Sequence, residues 1–109
     1  VFSENQDISS VVHFAALKAV GESTENPLKY YHNNVSGSVI LLEVMKRFGV
    51  KNLVFSSSCT VYGEPSKVPI SEDSPVGDVS SPYGRTKYMM EGIIFFVSHT
   101  TNYFIFIND

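Results

Sequence analysis

The chain has 109 residues, 43% of them hydrophobic, with 8 basic and 11 acidic side chains and a formal net charge of −3. That length bounds it to one domain, and that apolar share is enough for a core. The scattered basic residues give no nucleic-acid footprint or anionic-membrane surface, no apolar run approaches the about 18 residues of a membrane span, and the single Cys59 rules out an internal disulfide framework. Cys59 reads as a small buried apolar residue in a reducing, cytoplasmic setting. The N-terminus, Val1-Phe2-Ser3-Glu4-Asn5, carries neither an initiator Met nor a signal-peptide pattern and reads like the interior of a longer protein.

Residues 1–9 are polar and read as a loop or the end of a helix. Ser10-Val11-Val12-His13-Phe14 is short, β-branched and apolar, and is expected as a buried strand. Ala15-Ala16 follow at its carboxyl end, where open α/β sheets bind ligands and where small residues let a ligand reach the backbone. From Pro27 to Phe48, Leu28, Tyr31, Val35, Val39, Leu42 and Met45 recur at helical spacings, with Asn26 placed to cap, Pro27 to open and Gly49 to close. Asn33-Asn34 and Gly37 interrupt that helix. A mid-helix Gly costs up to about 1 kcal/mol relative to Ala, so Gly37 points to close packing or ligand contact. Asn34-Val35-Ser36 matches a glycosylation sequon, which its mid-helix position sets aside.

Asn52-Leu53-Val54-Phe55-Ser56 is a second expected buried strand, leading into Ser57-Ser58-Cys59-Thr60-Val61-Tyr62-Gly63. Strand, helix, strand is a βαβ unit, hence an α/β chain with a parallel sheet. Residues 64–82 carry four prolines and form a long loop, a length that is usually functional. Ser81 can cap and Pro82 can open a helix expected to run from Tyr83 to Phe96. Val97 to Asn102 breaks the pattern, and Tyr103 to Ile107 is expected as a final strand.

Tyr83 and Lys87 lie four residues apart, one turn along one helix face. An ammonium beside a phenol favours the phenolate. Ser58 comes from the end of the second strand, at the sheet edge where the first strand also ends. A serine hydroxyl, a phenol and an ammonium meeting at that edge form a proton-handling arrangement. His13 reads as a structural strand residue, His32 as part of a polar helix face and Tyr62 as packing; His99 falls in the last segment. No Gly-x-Ser-x-Gly elbow accompanies a serine, and no metal-ligand spacing occurs.

Four blocks, His13 to Ser23, Tyr30 to Val35, Phe55 to Gly63 and Pro82 to Lys87, resemble in order the UDP-glucose 4-epimerases of the extended short-chain dehydrogenase/reductase family. The resemblance covers about residues 8–94. It implies the central part of a Rossmann-like doubly wound parallel sheet, incomplete here, over residues 1–97, with 98–109 a tail whose origin the sequence leaves open. It implies NAD as cofactor, UDP-glucose and UDP-galactose as substrates, and a homodimer. Tyr83 would take the proton of the sugar 4-hydroxyl, Ser58 would hydrogen-bond that oxygen, and Lys87 would tune Tyr83 and hold the nicotinamide ribose. Phe14, Ala15, Ala16, Lys18, Asn33 and Ser56, with Tyr83 and Lys87, would line the NAD site. Hydride would pass from sugar C4 to NAD+ and return to the opposite face of a 4-keto sugar.

The related 4,6-dehydratases share Val61-Tyr62-Gly63 and the Tyr83/Lys87 pair but carry an Asp-Glu pair that this chain lacks. Family members also begin with a strand and a Gly-rich loop that cradles the NAD pyrophosphate, and end in a substrate-binding part; neither occurs in these residues. The chain alone is therefore expected to be inactive, and the alternative expectation is a truncated, non-catalytic remnant that packs on a partner or binds nucleotide weakly.

Overall fold

The computed structural model describes the backbone of residues 1–101 and 104–108, with side chains as far as residue 100. Strands β1 (Ser10–His13), β2 (Asn52–Ser56) and β3 (Phe104–Asn108) form a parallel sheet in that order. β1 runs in register with β2 from Ser10 opposite Asn52 to His13 opposite Phe55, and β2 with β3 from Asn52 opposite Phe104 to Ser56 opposite Asn108. The helices are α1 (Val20–Glu25), α2 (Pro27–Tyr30), α3 (Gly37–Phe48) and α4 (Pro82–Thr101). The expected final strand is present as β3 and runs one residue beyond Ile107, to Asn108; Tyr103 lies outside the described residues.

Both crossovers step the same way across the sheet, so right-handed connections lay α3 and α4 on one face. The core sits there: Leu42 and Met45 of α3 and Met90 and Ile94 of α4 close over Val50 and over Leu53 and Phe55 of β2. Alternation along β2 puts Leu53 and Phe55 inward, each 2% exposed. β1 departs from the expected buried strand. Val11 packs on the core, but Val12 is 58% exposed, because among the described residues the helices cover only the other face.

The helix expected from Pro27 to Phe48 is α2, a π-helical turn over Tyr31–Ser36, and α3. The wide turn takes up an extra residue and swings Asn34 inward, to 3% exposure. Asn26 makes no side-chain cap. It also terminates α1, its backbone N–H bonding the Glu22 carbonyl at 2.9 Å, and that double duty holds it out of cap geometry. Tyr30, fully buried, donates its hydroxyl to Glu22 at 2.7 Å and ties α2 to α1. Gly37 does not mark close packing: a side chain there would meet nothing within 4 Å. Gly49, at φ +70°, closes α3 as expected.

α4 runs past Phe96 to Thr101. The polar residues expected to break it bond back to its own carbonyls, Ser98 Oγ to Phe95 at 2.7 Å and Thr100 Oγ1 to Phe96 at 3.1 Å, so the helix continues. Between β2 and α4, a 3₁₀ turn over Cys59–Tyr62 ends at Gly63, whose φ is +65°. A Cβ on Gly63 would lie 2.0 Å from the Asp78 carbonyl oxygen, so only glycine permits that approach. With the Gly77 N–H on the Val61 carbonyl at 3.0 Å, the two ends of the long loop are held together.

Candidate active site at the sheet edge

The carboxyl end of β2 supplies Ser56, Ser57 and Ser58 in succession. Ser58 is extended, at φ −163° and ψ 142°, and opens the 3₁₀ turn. Its Oγ accepts from the Thr60 N–H at 3.3 Å and from Thr60 Oγ1 at 3.0 Å. Those bonds use both lone pairs, so the Ser58 proton remains available to donate outward. Cys59, expected to be buried, is exposed, because the turn that Thr60 pulls inward points the neighbouring side chain to solvent.

The first turn of α4 is satisfied donor by donor. Pro82 has no N–H to place, the Tyr83 N–H reaches Ser23 Oγ at 3.1 Å, and the Gly84 N–H reaches Ser81 Oγ at 3.1 Å, the cap expected from sequence. Ser23, fully buried in α1, passes its own proton to the Val20 carbonyl at 2.6 Å. Gly84 lets this turn sit against the 3₁₀ turn: a Cβ there would come within 2.6 Å of Val79 Cγ1 and 3.0 Å of Thr60 Oγ1. Thr60 therefore lies against both Ser58 and the residue after Tyr83, which sets the 3₁₀ turn beside the start of α4. Among the described residues the Tyr83 hydroxyl has no hydrogen-bond partner.

Lys87 is 5% exposed. Its Nζ donates to the Ser56 carbonyl at 2.7 Å and lies 4.9 Å from the Phe55 ring centroid. Burial pushes its pKa below the ordinary lysine value, and two of its three protons remain uncommitted to Ser56. Thr86, fully buried beside it, donates to the Tyr83 carbonyl at 2.6 Å and accepts from Asn34 Nδ2 at 3.2 Å.

Asn34 is the hub of this edge. Its Nδ2 also donates to the Leu17 carbonyl at 2.8 Å, while its Oδ1 accepts from the Leu17 N–H at 2.9 Å and from Asn33 Nδ2 at 2.9 Å. One buried amide thus fastens the segment after β1 to the π-helical turn and to α4. Sequence reasoning missed Asn34, Ser23 and Thr86. Asn34 carried a signal, a polar pair interrupting an apolar helical pattern, which was read as an interruption and not as a contact.

Of the residues expected to line a cofactor site, Phe14, Ala15 and Lys18 are exposed and Ala16 half-buried at the end of β1, and Asn33 is exposed beside Asn34. Ser56 contributes its carbonyl, which Lys87 occupies. Tyr83 and Ser58 are half-buried and Lys87 is buried.

His13, the last residue of β1, meets Ser38 Oγ through Nε2 at 2.8 Å. Ser38 spends its proton on the Asn34 carbonyl at 2.7 Å, so His13 must donate and carries its proton on Nε2. Burial, then the Lys87 charge, push the His13 pKa below 6.5. The unfolded chain therefore binds the proton first on acidification. Stability contributed by neutral His13 is complete above about pH 6.5 and falls as pH drops through the lowered folded-state value. Urea unfolding at pH 7 and 5.5 should show a loss on acidification that His13→Gln, which keeps a donor for Ser38, diminishes. An equal loss in both proteins would show that His13 does not carry it.

The described residues contain no cluster of metal-ligating side chains, and no helix among them is long and apolar enough to cross a membrane. The profile of the NAD dependent epimerase/dehydratase family matches residues 1–107. Over 94 residues the chain is 62% identical to a UDP-glucose 4-epimerase of Neisseria meningitidis serogroup A and 60% identical to one of Bacillus subtilis, covering 86% of this chain in each case. It spans 27% of the length of those relatives. Among solved structures, it superposes on a UDP-glucose 4-epimerase from Bifidobacterium longum in complex with NAD+ and UDP. The TM-score is 0.93 and the identity 46%, over 97% of this chain and 32% of that one.

Proposed function

The chain belongs to the NAD dependent epimerase/dehydratase family, and from that premise we propose that it is the proton-handling part of an NAD-dependent UDP-glucose 4-epimerase, interconverting UDP-glucose and UDP-galactose. The observation that carries this reading is the hydrogen-bond state of Ser58 and Tyr83. Ser58 has its lone pairs filled and its proton available, and among the described residues the Tyr83 hydroxyl has no hydrogen-bond partner. A donor and a proton acceptor are thereby offered to one substrate oxygen, the sugar 4-hydroxyl. Ser58 donates to that oxygen, and Tyr83 takes its proton and later returns it. Lys87 places a fixed, partly desolvated positive charge in the same edge, available to a developing negative charge on the substrate oxygen.

The donor set fits a dinucleotide. Phe14, Ala15 and Ala16 leave the end of β1 open, Lys18 is an exposed cation for phosphate, Asn33 offers an amide, and Lys87 keeps N–H groups for ribose hydroxyls. When bound, the nicotinamide supplies the hydride acceptor for sugar C4. Association of two copies is supported by an apolar stripe on α4, where Met89, Phe95 and Phe96 are 40%, 55% and 70% exposed.

The test uses two forms: this chain alone, and this chain set in place of the matching segment of the Bacillus subtilis relative. Calorimetry with NAD+ and turnover of UDP-galactose are measured on both. Binding and turnover in the grafted form are the expected result. A grafted form that binds NAD+ no better than the chain alone and turns over nothing would leave the chain a non-catalytic remnant.

A further inference from the structure

One helix face grips two successive residues of the strand that delivers Ser58. Lys87, on α4, donates to the carbonyl of Ser56, and Glu91, one turn further along, accepts a hydrogen bond from the hydroxyl of Ser57. Ser57 is 5% exposed and follows the last residue of β2, so its side chain points into the packed interface and not toward a ligand. The two grips are chemically complementary. A carboxylate can only accept, so the Ser57 hydroxyl must donate to it, while an ammonium can only donate, so it takes the carbonyl. Both are charge-assisted bonds, the stronger class, and they act on adjacent peptide units from a rigid helix. Ser58 is the next residue. With Ser56 and Ser57 held, the direction in which the chain delivers Ser58 is set by α4, the same helix that carries Tyr83 two turns before Glu91.

We infer that Glu91 and Ser57 are positioning residues for the proton transfer, fixing Ser58 relative to Tyr83 without touching the substrate. This rests on the reading of Ser58 and Tyr83 proposed above. Tyr83, Lys87 and Glu91 recur every four residues, so a single stripe of α4 supplies the phenol, the grip on Ser56 and the grip on Ser57. Misplacement of a catalytic group by about 1 Å costs on the order of 100-fold in rate, so loosening Ser58 is felt in turnover well before it is felt in binding.

The test is a double-mutant cycle with Glu91→Gln, Ser57→Ala and the pair, in the grafted enzyme, with turnover expressed per NAD+-binding site. Each single change should lower kcat by about tenfold or more, with KM for UDP-galactose and the affinity for NAD+ within about twofold. The double variant should be no slower than the slower single, because the two act as one unit. Strictly additive losses, or a kcat within twofold of the parent in both singles, would overturn the inference. So would losses carried entirely by KM. Failure of the epimerase reading itself is recognised separately, by an unsubstituted grafted enzyme that does not turn over.

Discussion

Tyr83→Phe in the grafted enzyme is expected to lower turnover of UDP-galactose by about 10²- to 10⁴-fold, the range that a general acid–base group contributes. The substitution removes one oxygen and keeps the ring. The bond that anchors residue 83, from its backbone N–H to Ser23, survives because it does not involve the side chain. No hydrogen bond within the described residues is lost with the hydroxyl, so thermal stability should be unchanged and NAD+ should still bind. That separation makes the measurement decisive. A rate within tenfold of the parent would remove Tyr83 from the chemistry, whereas a large loss together with a lowered melting temperature would point to a packing role.

The second large effect concerns Asn34. Replacing it by Leu, close in volume and apolar, deletes four hydrogen bonds at once. The Leu17 N–H and C=O, part-buried and both served by the one amide, lose their partner, and Thr86 loses a donor. Each buried group left unsatisfied costs about 1–3 kcal/mol, so a total loss of about 3 kcal/mol or more is expected in urea unfolding. Asn34→Asp should fall between parent and Leu. It keeps the acceptor for Leu17 N–H but sets a carboxylate against the Leu17 carbonyl. A loss below about 1 kcal/mol for Leu would mean that water or a shifted backbone replaces the amide.

The parts of this architecture legible in the sequence were those fixed by local rules. Ser81 before Pro82 announced a helix start because cap and first-turn chemistry depend on neighbours in the chain, and the structure places Ser81 Oγ on Gly84 N–H. The βαβ order followed from the alternation of apolar runs, and the Tyr83–Lys87 spacing from helical geometry. What the sequence hid depends on residues far apart. Asn34 acts on Leu17 and Thr86, the latter 52 positions away, and in a linear reading a polar residue in a helix looks solvated. Ser23 meets Tyr83 across 60 positions. Cys59 looked like core because its type usually is, yet the turn locked by Thr60 exposes it. Val97 to Asn102 looked like a break because Ser and Thr compete for the backbone; as far as Thr100 the hydroxyls instead donate to carbonyls of their own helix and leave it intact, and Asn102 lies outside the described residues.

The closure at Gly63 and Asp78 has an engineering consequence. Because the chain is pinned at both ends of the intervening segment, the length of that segment is uncoupled from the distance between Ser58 and Tyr83. Doubling a loop costs only about 0.6 kcal/mol in closure entropy. Residues 64–76 are thus a natural port, a place where the chain can accept a fluorescent reporter, a protease-cleavable marker or an extra recognition module while its chemistry stays in register.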